Sequence, residues 1–202
     1  NSNQKSNKKK QKTNVTKGKK QKSDEKQSVD ADKIVKIQMP STLKKQLVDD
    51  WEFVTQKDQL VKLPCSPNVD DVLKKYLEYR TRKDCKMTDS IAEILNGLHC
   101  YFDKALPLML LYKNERQQYH DVVTSNISPS IVYGAKHLLR LFVKLPELLA
   151  YVNIEEETKT CLQQKLVDFL IFLQKNQSTF FVSVYDGSKA AMGTIKSEDN
   201  KS

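Results

Sequence analysis

An all-α fold of five to six helices with a small two-stranded β element is the class this sequence predicts, and three observations carry it. Apolar residues recur at three- and four-residue spacing over several long stretches. Between Leu138 and Leu145 six of eight residues are Leu, Phe or Val, the composition of a helix enclosed on most sides by others. Strand-like runs are few and short, Lys33 to Met39 and Gln59 to Leu63.

Residues 1–32 are Lys, Gln, Asn and Ser with almost nothing to bury, and they predict a disordered Lys-rich linker. The alternation Ile34, Val35, Ile37, Met39 predicts the first strand, stopped by Pro40. Ser41 or Thr42 then caps a helix to about Lys57. There Leu43, Leu47, Val48, Trp51 and Val54 span roughly 140° at 100° per residue, more than a core-facing stripe needs. The surplus, Val48 and the edge of Trp51, predicts exposed apolar surface with a purpose. Trp51 as simple core is the competing reading.

The second strand ends in the break Pro64-Cys65-Ser66-Pro67. Asn68 caps a helix of Val69, Val72, Leu73, Tyr76 and Leu77. Thr88 or Asp89 opens the next, in which Ile91, Ile94, Leu95, Leu98, Tyr101, Phe102 and Leu106 keep the helical rhythm. Pro107 introduces a kink or a new helix through Leu110, Tyr112 and Tyr119, and Ser125 to Pro129 form a loop. The central helix follows, with Leu138, Leu141, Phe142 and Leu145 on one face. His137, Arg140 and Lys144, with Tyr133 near them, share a polar stripe that either reaches solvent or lines a groove. Pro146 breaks or restarts this helix. Asn153 caps the last long helix, aided by Glu155, Glu156 and Glu157 at its positive end. Thr179 to Tyr185 is apolar enough to pack back on a domain of residues 33–186, and residues 187–202 read as a disordered tail.

The formal charge of +9 belongs mostly to the start of the chain. Residues 1–30 hold ten lysines against Asp24, Glu25 and Asp30, a net of +7, which leaves +2 for the other 172. This basicity fits a solubilising linker, a nuclear-import signal or a phosphate-backbone patch. Four scattered cysteines without a Cys-x-x-Cys argue against a zinc ribbon or a disulfide framework, and fit a reducing compartment. No apolar run reaches membrane-spanning length and no signal-peptide pattern opens the chain. A first residue of Asn rather than Met predicts a piece of a longer protein.

Candidate chemistry is thin. His99 and Cys100, adjacent on a helix, diverge and make a poor nucleophile–base pair. Arg116, Tyr119 and His120 share a face, but in the charged run Lys113 to His120 a solvated face is the stronger reading. Asp49 and Asp50 diverge in the same way and read as exposed or structural. His137 reads first as a satisfied core or rim histidine, with a ligand-facing role as the alternative. No glycine-rich phosphate loop or metal-ligand spacing is present, so no enzyme activity, cofactor or metal is expected. What remains is binding, through Leu47, Val48 and Trp51 on one helix and the His137, Arg140, Lys144 stripe with Val143 beside it.

Several segments stand out in order: Leu47-Val48-Asp49-Asp50-Trp51, Leu63-Pro64 with Asn68-Val69-Asp70, Leu110-Leu111-Tyr112-Lys113 with Glu115-Arg116 and Gln118-Tyr119, and Tyr133-Gly134-Ala135 with His137 to Val143. Together they resemble the MRG domain family of mortality-factor-related chromatin proteins, in details its plant branch. Leu149-Ala150-Tyr151 and Asp168-Phe169-Leu170 extend the resemblance over about residues 33–185. It implies a helical domain arranged like part of the tyrosine recombinases. It also implies a non-enzymatic nuclear adaptor whose shallow groove holds partner segments, often with a Phe-x-Leu-Pro core. Positions matching that groove are Met39, Leu47, Val48, Trp51, Val143 and Lys144, with His137 and Arg140 close by. Implied partners are subunits of histone acetyltransferase and deacetylase complexes and transcription factors. Histone tails would be read only by an upstream chromodomain that is not among these residues. Lys136 stands where many relatives have proline, which predicts an earlier helix start. Lys144 replaces a common arginine, keeping charge but losing the bidentate fork. The rival from another class is a nucleic-acid-binding helical module that uses the basic tail.

Overall fold

The computed structural model describes residues 35–83, 88–182 and 184–187. The basic segment 1–32 and the tail beyond Gly187 lie outside the described residues, as does Cys85. The described chain is mainly helical, with one two-stranded antiparallel sheet.

Helix α1 (Ser41–Trp51) passes into a π-helical turn, Glu52–Gln56, and then strand β1 (Gln59–Val61). Helices α2 (Val69–Lys83) and α3 (Thr88–Ala105) follow, then a second π turn, Leu106–Leu110, and a 3-10 turn, Lys113–Glu115. Helix α4 (Arg116–Val122) and a 3-10 turn at Pro129–Ile131 lead into α5 (Ala135–Leu149). Helices α6 (Glu156–Lys175) and α7 (Gln177–Phe180) and strand β2 (Tyr185–Gly187) complete it.

Local signals account for most of these boundaries. Asn68 Oδ1 accepts from the Asp71 amide at 2.9 Å while Asp71 Oδ2 accepts from the Asn68 amide at 3.1 Å, a reciprocal cap that starts α2. Helix α5 packs against α1, α2, α3 and the 106–110 turn, and Leu138, Leu139 and Leu141 are fully buried. Phe142 stacks on Phe169 of α6 at 5.5 Å, and Tyr76 of α2 meets the edge of Phe169 at 4.9 Å.

Gly134, before α5, is required by a close approach. A Cβ there would sit 3.0 Å from Cys65 Cβ and 3.2 Å from the Pro67 carbonyl oxygen. The Cys65 amide donates to Val132 and the Val69 amide to Tyr133, so the 64–67 turn is laid against the α5 entry.

Several expectations are corrected. Residues 35–40 form no strand; Val35 is buried and Ile37 and Met39 pack on the core, so the alternation records alternate burial without a pairing partner. Lys33 and Ile34 lie outside the described residues. Strand β1 instead pairs with β2, Leu60 opposite Asp186. Leu111 is extended, so no helix runs from Pro107 to Tyr119. Pro146 lies inside α5, which continues to Leu149. Glu155, not Asn153, precedes the first turn of α6. Tyr101 points out of the core, 37% exposed.

Candidate functional site: a concavity between α1 and α5 over a buried ion network

The apolar composition of α5 leaves its cations few places to go. Tyr133, His137 and Arg140 are 0, 1 and 5% exposed, so of the polar stripe only Lys144 reaches solvent. The expectation of a solvent-facing or groove-lining stripe is therefore corrected for His137. A buried guanidinium must be matched by acceptors. Arg140 Nε and Nη2 donate to Asp50 Oδ2 at 2.9 and 2.6 Å, and Nη1 and Nη2 to Glu115 at 2.6 and 3.0 Å. Its Nη1 also donates to the Leu110 carbonyl at 2.9 Å, and the guanidinium carbon lies 4.2 Å from the centre of the Tyr112 ring.

The partners are themselves held. Glu115 Oε1 is 2.8 Å from His137 Nε2, and because an ionised carboxylate only accepts, Nε2 carries the proton. Glu115 Oε2 accepts from the Tyr112 amide at 2.7 Å. Tyr185 of β2 donates its hydroxyl to Asp50 Oδ1 at 2.8 Å and receives Lys136 Nζ at 2.8 Å, with its ring stacked on Phe53. The C-terminal strand is thus keyed into the same network as α1 and α5.

Burial pushes the Glu115 carboxyl up, but His137 and Arg140 outweigh it and hold its pKa at about 2. Burial likewise works against the charge of Arg140, yet Glu115 and Asp50 raise its pKa further. Burial, then the Asp50 charge, raises that of the Tyr185 phenol. The network ties α1, α5 and β2 together, with Arg140 and Lys136 balancing the carboxylates of Asp50 and Glu115.

Above it lies a concavity of about 290 Å³. Leu47 of α1, Met109, Leu110 and Tyr112 line one side, and Arg140, Val143 and Lys144 of α5 the other. The Arg140 guanidinium, 5% exposed and held by Asp50 and Glu115, presents little free charge to this floor. Trp51 lies one turn beyond Leu47 on the same face of α1 and Val48 on the adjoining flank; they are 45 and 59% exposed. Val143 and Met109, which line the concavity, are 55 and 41% exposed.

Of the eight residues predicted for a binding site, the structure brings Leu47, Arg140, Val143 and Lys144 to this concavity and sets Val48 and Trp51 beside it. It does not bring Met39, which packs on the core, or His137, sealed behind with Glu115. Sequence reasoning missed Met109 and Tyr112, hidden behind the Pro107 break, and Asp50 and Glu115. An arginine on an otherwise apolar helix was the available signal that buried carboxylates had to exist.

The other candidates resolve differently. Arg116 is exposed and donates to the Pro107 carbonyl, Tyr119 is half-buried and His120 exposed. His99 uses one ring nitrogen, Nε2, toward both Ser130 Oγ at 2.9 Å and Asp70 Oδ1 at 3.1 Å. A relay needs both nitrogens, and Ser130 is fully buried, so this cluster ties α2, α3 and the 129–131 turn together. Among the described residues no group of His, Cys, Asp and Glu is arranged to hold a metal ion, and no helix is long and apolar enough to cross a membrane.

Comparison with known proteins places this architecture. A family model described as MRG matches residues 8–187. The chain belongs to the MRG family. Protein MRG1 of Arabidopsis thaliana is 60% identical over 193 residues, covering 94% of this chain and 60% of that protein. The NuA4 complex subunit EAF3 homolog of Dictyostelium discoideum is 44% identical over 156 residues, covering 76% of this chain and 40% of that protein. Mortality factor 4-like protein 1 of Rattus norvegicus is 41% identical over 153 residues, covering 73% of this chain and 47% of that protein. The higher identity to the plant protein agrees with the plant-branch details of the sequence. This MRG chain spans between 40 and 60% of the length of these relatives.

Proposed function

We propose that this chain is a non-enzymatic, nuclear protein-docking module that joins a chromatin-modifying complex by holding an apolar segment of a partner between α1 and α5. The observation that carries this reading is the exposure of Val48, Trp51, Met109 and Val143 around one concavity whose buried charge is already neutralised. Large apolar side chains on a rim that the fold itself does not cover are what a partner's aromatic or aliphatic anchor fills. The names of the relatives, one of them a NuA4 complex subunit homolog, support a chromatin complex as the setting. Partners of this kind are subunits of histone acetyltransferase and deacetylase complexes and transcription factors.

The test is binding of a peptide with a Phe-x-Leu-Pro core, measured by calorimetry. Trp51→Ala is expected to cost roughly 2 kcal/mol of affinity and to leave unfolding cooperative. Unchanged affinity would remove Trp51 from the site. The ten lysines of residues 1–30 support a second reading, weak nucleic-acid contact by the tail. It expects DNA affinity to fall steeply with salt and to vanish when residues 1–30 are deleted.

A further inference from the structure

The groove has a charge asymmetry as well as an apolar floor. The exposed acidic residues of α1, of the turn after it and of α5 are already matched: Asp49 by Lys45 at 3.1 Å, Glu52 by Lys57 at 2.9 Å, and Glu147 by Lys144 at 3.6 Å. Beneath it, Asp50 and Glu115 share Arg140, and Lys136 joins Asp50 through the Tyr185 hydroxyl, so two cations meet two carboxylates. The cations are in excess. Lys44 lies one turn before Leu47 and Val48 on the same face of α1, is exposed, and has no carboxylate partner among the described residues. The same holds for Lys113, which follows the pocket residue Tyr112. Lys144 lines the concavity itself, and its contact with Glu147 is long and exposed on both sides, a pair that a better-placed carboxylate displaces at little cost.

We propose that the segment held here is an acidic one, in which carboxylates flank the apolar side chain and meet Lys44, Lys113 and Lys144. This rests on the groove reading above and adds the charge of the occupant to it. The apolar anchor supplies the contact area, and the lysines select among apolar segments by sign, favouring Glu or Asp neighbours and repelling basic ones.

Three peptides with the same Phe-x-Leu-Pro core, flanked by three Glu, three Gln or three Lys, test this by fluorescence anisotropy with the full chain. At about 50 mM salt the Glu-flanked peptide is expected to bind about tenfold tighter than the Gln-flanked one, and the Lys-flanked peptide more weakly than either. The Glu-to-Gln ratio is expected to shrink toward one at about 500 mM salt. It should collapse in the same way in the Lys44→Gln/Lys113→Gln/Lys144→Gln variant at low salt. Equal affinities of the Glu- and Gln-flanked peptides for the wild type overturn the proposal while leaving the groove intact. A ratio that survives in the triple variant also overturns it, because the lysines of residues 1–30, untouched there, would then be the cause. Failure of all three peptides to bind overturns the groove reading and this inference with it.

Discussion

Replacing Arg140 by Met tests whether the buried network holds the groove's two walls together. The substitution removes five hydrogen bonds, two to Asp50, two to Glu115 and one to the Leu110 carbonyl. Among the described residues Asp50, fully buried, keeps the Tyr185 hydroxyl, and Glu115 keeps His137 and the Tyr112 amide. Two desolvated carboxylates then face each other without their shared cation. Leaving a buried charge uncompensated costs about 3–5 kcal/mol, a large part of the roughly 5–15 kcal/mol that stabilises a domain. Urea unfolding followed by far-ultraviolet circular dichroism reads the loss directly. The decisive companion is the triple variant Asp50→Asn/Glu115→Gln/Arg140→Met. It keeps neutral acceptors for the Tyr185 hydroxyl and the Tyr112 amide, and is expected to recover at least half the loss. A cost below about 1 kcal/mol for Arg140→Met, or a triple variant no more stable than the single one, refutes the reasoning.

Three further outcomes follow from the same geometry. Glu115 has a folded pKa of about 2 against an ordinary 4.5, so the unfolded chain binds the proton first. Its contribution of roughly 3 kcal/mol is present above about pH 4.5 and is lost as pH falls toward 2. Urea midpoints measured from pH 6 to 2 should show that slope, and Glu115→Gln should flatten it. Tyr185→Phe keeps the stack on Phe53 but orphans Asp50 Oδ1. An expected loss of about 1–3 kcal/mol is measurable by chemical denaturation. Gly134→Ala forces a Cβ to 3.0 Å from that of Cys65, and thermal unfolding should register a cost of about 1–3 kcal/mol as the 64–67 turn is pushed off the α5 entry.

What the sequence disclosed and what it hid divide along a physical line. Periodicity and caps are local, so α2 with its Asn68 cap and α3 with Ile91, Leu95 and Leu98 were legible. So was the surplus apolar arc that left Val48 and Trp51 exposed. The partner of β1 lies at Tyr185–Gly187, and no local pattern encodes a pairing across so much chain. The stripe on α5 shows the same limit. Spacing put His137, Arg140 and Lys144 on one face, but what met that face came from residues 90 and 25 positions away along the chain. Glu115, within a run that reads as solvated, is 1% exposed for that reason.

The single tryptophan of the chain offers the most direct test of the central claim. Trp51 is half-exposed beside the concavity, so an apolar side chain entering there must change its solvation. Titration with the Phe-x-Leu-Pro peptide is expected to give a saturable blue shift of Trp51 emission, with the midpoint matching the calorimetric affinity. Peptide binding that leaves the emission unmoved would put the occupant elsewhere on the surface and contradict a groove between α1 and α5.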